Sequence, residues 1–153
     1  MISSNATEVT IDYFLATLRK QNLDIIPAKF MSDNNKAQLN AIRHHYPESQ
    51  LFLCWWHVLH AWQEHFVTNH FPELWDLLKG WVRLKETTEF DEQWVQIKKL
   101  APPSLIQYFE DHWIPIWPMW SARARKGRTI FEFSETNMLI EAYVFHIYLG
   151  ELC

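Results

Sequence analysis

Three residues in the first two-fifths of the chain have the types and spacing that metal or phosphate chemistry needs. Asp33 follows the apolar run Ala28–Ser32, and Cys54 and His57 close a second run, Gln50–Cys54. An aspartate at the end of a buried strand is fixed by the strand, while the loop beyond it stays open to water, which suits a hard cation such as Mg²⁺. Aspartate is also a preferred helix N-cap, and spacing alone favours that structural role for Asp33. Glu141 offers a second carboxylate, one turn into a final helix. Two-metal phosphoryl transfer gathers carboxylates around ions about 3.5–4 Å apart, although a solvated glutamate early in a helix is favoured by the macrodipole in any case. Cys54 and His57, at i and i+3, share a face if the chain turns helical at Cys54. They could be half of a zinc site, but no second Cys/His pair has matching spacing, so zinc is disfavoured and the pair reads as the wall of a site. Cysteine nucleophilic catalysis lacks a third, orienting residue. Arg123, Arg125, Lys126 and Arg128 set four positive charges in six residues beside Gly127, a spacing that fits phosphate contact, a nuclear-import signal or a solvated loop.

Such residues act only where elements hold them. Ile11, Phe14, Leu15 and Leu18 recur at spacings of three and four, which predicts an amphipathic helix over about residues 10–21, ended near Asn22. Pro27 allows a switch to extended chain, Ala28–Ser32 reads as a short buried strand, and Asn34 and Asn35 can cap a helix carrying Ala37, Leu39, Ala41 and Ile42. Pro47 closes that helix. Gln50–Cys54 is a second strand, and the strand–helix–strand spacing favours parallel pairing through a right-handed crossover. Asp33 and the Cys54/His57 pair then stand at the carboxyl ends of neighbouring strands, where open α/β sheets gather their chemistry.

From Trp55 to about His112 the pattern is helical, with segments at about 55–67, 72–86, 88–100 and 104–112. Pro72 suits a first turn, Thr88 with Asp91 resembles a capping box, and Pro102-Pro103 is a break. A strand-like run follows at 129–133, then a last helix at about 138–149 with Thr136 and Asn137 at its start. The reading is one α-rich α/β domain over 1–153, with an α/β part at 10–57, a helical insertion at 58–120, and a basic loop and closing helix at 121–153.

Composition bounds the function. With 153 residues, 48% of them hydrophobic and 16% aromatic, the chain can bury a substantial core and is too apolar to be disordered. Nine Trp and ten Phe mean thick helix packing or a surface that expects a partner. A formal charge of −4 gives no global attraction for nucleic acid, so DNA contact has to come from a local patch. Two cysteines make no disulfide framework and point to a reducing, intracellular compartment. The first residues lack a secretory pattern, and no apolar run approaches a membrane span, so neither secretion nor a membrane partner is expected.

In order and content these elements resemble the catalytic domain of Mutator-like element (MULE) transposases. The resemblance is carried by Phe30-Met31-Ser32-Asp33, Ala37, Ala41-Ile42, Tyr46-Pro47 and Cys54-Trp55-Trp56-His57, then by Thr136-Asn137 and Glu141, and spans about residues 10–149. It implies a partial ribonuclease-H-like fold, with a parallel strand pair and a helical insertion. It makes Asp33 the second acid and Glu141 the last acid of a DDE triad, both holding Mg²⁺ or Mn²⁺, with Cys54 and His57 lining the site. It implies transposon-end DNA as partner, the nucleus as compartment, and attack of water and then a 3′-hydroxyl on phosphodiesters.

The family's first Asp lies on a strand ahead of the helix near Thr10, and neither Glu8, Asp12 nor Asp24 ends a central strand. The triad is therefore expected to be incomplete and the chain inactive alone, because phosphoryl transfer rests on ion positioning. Two parallel strands are also expected to leave an edge and part of a face uncovered, which favours self-association. The alternative is non-enzymatic: a domesticated transposase remnant, or a helical module whose Trp-rich surface binds protein or DNA.

Overall fold

Apolar residues three and four apart on the first helix, α1 (Glu8–Gln21), turn Leu15 and Ile11 toward the second helix, α2 (Lys36–His45). The computed structural model describes residues 8–125, which divide between Leu53 and Cys54 into two compact units. The strand expected at 129–133 and the helix expected at 138–149 lie outside the described residues.

In the first unit, α1 ends where Asn22 donates its side-chain amide to the Leu18 carbonyl at 2.9 Å. Strand β1 (Lys29–Ser32) leads into α2, and β2 (Gln50–Leu53) returns parallel to β1, with Lys29 opposite Gln50 and Ser32 opposite Leu53. The parallel strand–helix–strand expected from spacing is present, and the sheet has two strands among the described residues. One buried cluster joins Leu15, Ala41, Ile42 and Tyr46, with Ile11, Phe30 and Leu51 against them, and Leu39, Phe52 and Leu53 are buried as well. The Tyr46 ring lies 5.0 Å from Phe30 and under the Arg19 guanidinium, which pairs with Glu48 at 2.7 Å. Much apolar surface stays outside that core. Val9, Tyr13 and Phe14 on α1 are exposed, as are Leu23, Ile25 and Ile26 in the loop after it.

The second unit is helical: α3 (Trp55–Gln63), α4 (Pro72–Trp81), α5 (Thr87–Leu100), α6 (Pro103–His112) and the short α7 (Trp117–Trp120). Short 3₁₀ turns stand at Thr68–His70, Ile114–Ile116 and Ala122–Arg125. The molecule is thus α-rich α/β. Among the described residues no helix is long and apolar enough to cross a membrane.

Aromatic rings make the second core. Trp62 meets Phe109, Trp113 and Trp120 edge-on at 5.0–5.6 Å, and Trp81 stacks on Trp94 at 5.0 Å. Buried indoles need partners for their N–H groups. Trp81 Nε1 donates to the Phe90 carbonyl at 3.0 Å and Trp120 Nε1 to that of Trp113 at 2.8 Å. Trp113 and Trp120 are core residues, and Trp117 is half-buried. A binding surface rich in tryptophan is therefore not what these rings form.

Two helix ends and one cap differ from the periodicity, the first being α3, which stops at Gln63, short of residue 67. α4 stops at Trp81, short of residue 86, because the Val82 carbonyl accepts from Ala122 N at 2.8 Å instead of continuing the helix. The capping box at Thr88 is not formed. Glu86 stands at the N-cap without a side-chain capping bond, and the Asp91 carboxylate faces Arg123 at 3.4 Å.

On α6, burial raises the Tyr108 phenol above its ordinary value of 10.0, with the negative charge of Glu64 acting in the same direction. The native state thus holds this proton more tightly than the unfolded chain does. Its stabilising contribution is complete below about pH 10 and is lost as pH rises beyond that. Urea midpoints measured from pH 8 to 11 are expected to fall less steeply in Tyr108→Phe than in the parent chain.

Candidate functional site

The apolar strand β1 delivers Asp33 to its carboxyl end, as expected. Asp33 does not cap α2. Asn35 does so, its Oδ1 accepting from Ala37 N at 2.9 Å and Gln38 N at 3.3 Å, because Asn35 directly precedes the first helical residue. Asp33 Oδ1 instead accepts from Asn35 N at 3.2 Å, and the Ser32 hydroxyl lies 3.5 Å away. The carboxylate is half-buried, and this Asx turn holds it at the strand end.

Cys54 and His57 belong to the second unit. Cys54 is the N-cap residue of α3, is fully buried and makes no side-chain capping bond. His57 stands in the first turn of α3, half-buried, its ring edge-on to Trp56 at 4.8 Å and its Nδ1 enclosed without a protein hydrogen-bond partner. The chain does turn helical at Cys54, as the i, i+3 reading requires. Among the described residues, neither Asp33, Cys54 nor His57 belongs to a group of three ligand-type side chains close enough to share an ion. Glu141 lies outside the described residues.

Two arginines of the basic run are packed inward. Arg123 lies 4.2 Å from the Trp117 ring centroid and 5.2 Å from that of Phe90, and it pairs with Asp91. Arg125 is buried, 4.8 Å over the Trp55 ring, with Nη2 3.4 Å from the Met119 carbonyl. A guanidinium spreads its charge over a flat surface and stacks well on indole. Arg125 is thus buried against an indole rather than standing in a solvated loop. Lys126 and Arg128 lie outside the described residues.

Sequence reading missed a different cluster. On α1 and the last turn of α2, ligand atoms of Asp12, His44 and His45 all lie within 4.8 Å of one another, and His45 Nε2 is 2.8 Å from Asp12 Oδ1. A signal was present: Asp12 is three residues before buried Leu15, and His45 is three after buried Ile42, so each extends the packed stripe of its helix. Compared with protein-family models, with curated proteins and with solved structures, the chain matches none.

Proposed function

We propose that this chain derives from the catalytic domain of a MULE-type DNA transposase, whose chemistry is metal-dependent cleavage and transfer of DNA strands. One observation carries the reading: a parallel β1–α2–β2 unit with Asp33 held immediately beyond β1, followed by Cys54 and His57 as the chain enters α3. On this reading Asp33 binds Mg²⁺ or Mn²⁺ through oxygen, Glu141 completes the pair, and the ions stabilise both the entering and the leaving oxygen. DNA is the partner and the nucleus the compartment. The first acid of the triad is not supplied by Glu8, Asp12 or Asp24. Asp12 is on α1 beside His45, and Asp24 lies in the loop after α1. The ancestral reaction is accordingly not expected from this chain alone.

The test is ion-dependent retention of DNA by the chain, with any residual nicking of supercoiled DNA in Mg²⁺ or Mn²⁺ read beside Asp33→Asn. Nicking that needs the ion and drops at least about 100-fold in Asp33→Asn supports the site, since losing a ligand dismantles ion positioning. Nicking that survives the substitution removes it. A chain that neither nicks nor retains DNA favours the second reading, a non-enzymatic interaction module. That reading has its own observation in the exposed apolar residues Val9, Tyr13, Phe14, Leu23, Ile25 and Ile26 of the first unit.

A further inference from the structure

We propose that Asp12, His44 and His45 form a site for one transition-metal ion of the zinc class, unrelated to Asp33 and to the Cys54/His57 pair. The three side chains already converge, with ligand atoms no more than 4.8 Å apart and His45 Nε2 2.8 Å from Asp12 Oδ1. Zinc bonds of about 2.0–2.2 Å in a tetrahedron place neighbouring ligand atoms about 3.4 Å apart. The widest gap must therefore close by about 1.4 Å, and the His45–Asp12 pair must open by roughly 0.6 Å. Side-chain rotation supplies both without moving a helix, because Asp12 and His44 are accessible to solvent.

The donor set selects the ion. Two imidazoles and one carboxylate suit Zn²⁺, Co²⁺, Ni²⁺ or Cu²⁺, whereas Mg²⁺ and Ca²⁺ prefer oxygen ligands throughout. The surroundings favour a cation as well. His44 and His45 occupy the last turn of α2, where the helix end carries partial negative charge. Glu8, one turn before Asp12, lines the same open groove of about 500 Å³ with Asp12, Asn40 and His44. Arg43 is the opposing positive charge in that turn, against the two carboxylates of Glu8 and Asp12. With Asp12 and His44 lining an open groove and His45 behind them, a fourth position is left for water or for Glu8, the pattern of an accessible rather than a closed structural zinc site.

Binding is a proton exchange. The metal takes the place of the hydrogen shared by His45 Nε2 and Asp12 Oδ1, so His45 must pass that proton to Nδ1 if neutral, or release it to solvent if charged.

The experiment titrates the full chain with Zn²⁺ against a chromophoric chelator and repeats it with His44→Ala, Asp12→Asn and, as a control at an exposed histidine of the second unit, His70→Ala. The expected result is one ion per chain, at least about ten-fold weaker in His44→Ala and in Asp12→Asn and unchanged in His70→Ala; ten-fold is about 1.4 kcal/mol. Co²⁺ in place of Zn²⁺ is expected to show ligand-field bands without a thiolate charge-transfer band. His44 is exposed and Asp12→Asn is isosteric, so both variants keep the fold. The site is overturned by affinities within two-fold of the parent in both variants, by a thiolate band, or by no binding at about 0.1 mM Zn²⁺. None of these outcomes depends on DNA cleavage at Asp33.

Discussion

Replacing Trp81 with alanine is expected to destabilise the second unit by about 3–5 kcal/mol, the usual range for truncating a buried tryptophan. Trp81 is fully buried at the end of α4. Its ring lies 4.9 Å from Phe90, 5.0 Å from Trp94, 4.9 Å from Trp120 and 5.9 Å from Phe109, so the cavity would open between several rings that cannot all collapse into it. The substitution also removes the donor to the Phe90 carbonyl. That carbonyl keeps its helical bond within α5, so the lost N–H contributes about 0.5–1.5 kcal/mol rather than the cost of an orphaned acceptor. Trp81→Phe separates the two contributions, because it keeps one ring in place and loses the N–H. Urea unfolding followed by circular dichroism should show a large fall in midpoint for Trp81→Ala and a smaller one for Trp81→Phe. A loss below about 1 kcal/mol in Trp81→Ala would contradict an aromatic core centred on this residue. Domain stabilities lie at about 5–15 kcal/mol, so the expected loss is a large fraction of what holds the unit together.

The elements were legible where a local rule decided them. Helices α1 and α2 follow from apolar spacing, the strands from short apolar runs between Pro27, Pro47 and their neighbours, and the start of α4 from Pro72 at its first position. Errors arose where a distant partner outbid a local one. The Val82 carbonyl was taken by Ala122, which ended α4 early, and Asp91 was taken by Arg123, which left the capping-box pattern unused. Neither partner is close in sequence, so periodicity carries no trace of either.

The candidate sites divide along the same line. Asp33 could be read because a strand and a turn place it locally, and the Asx turn with Asn35 is encoded within three residues. Arg123 and Arg125 could not be read, since four charges in six residues look solvated until the indoles of Trp117 and Trp55 are known to lie under them. Asp12 and His45 are thirty-three residues apart, and only the packing of α1 on α2 makes them neighbours.

Tyr46→Ala is expected to unfold the first unit while leaving the second folded. One buried cluster of the first unit joins Leu15, Ala41, Ile42 and Tyr46, and Tyr46 is the largest of these four. It is 2% exposed and supports both Phe30 of β1 and the Arg19–Glu48 pair. A segment of this size buries too little surface to tolerate a cavity, because small domains are marginal and large-to-small aromatic changes cost about 3–5 kcal/mol. Hydrogen exchange on the full chain reads the outcome by segment. Protection should vanish across α1, β1, α2 and β2 and persist in α4–α6, where the tryptophan core is untouched by the substitution. Loss of protection in α4–α6 to the same extent would mean that the chain unfolds as one cooperative body. The consequence for function is direct. Asp33 and the Asp12–His44–His45 cluster both belong to the first unit, so Tyr46→Ala should abolish zinc binding by the cluster even though it touches none of the three ligands.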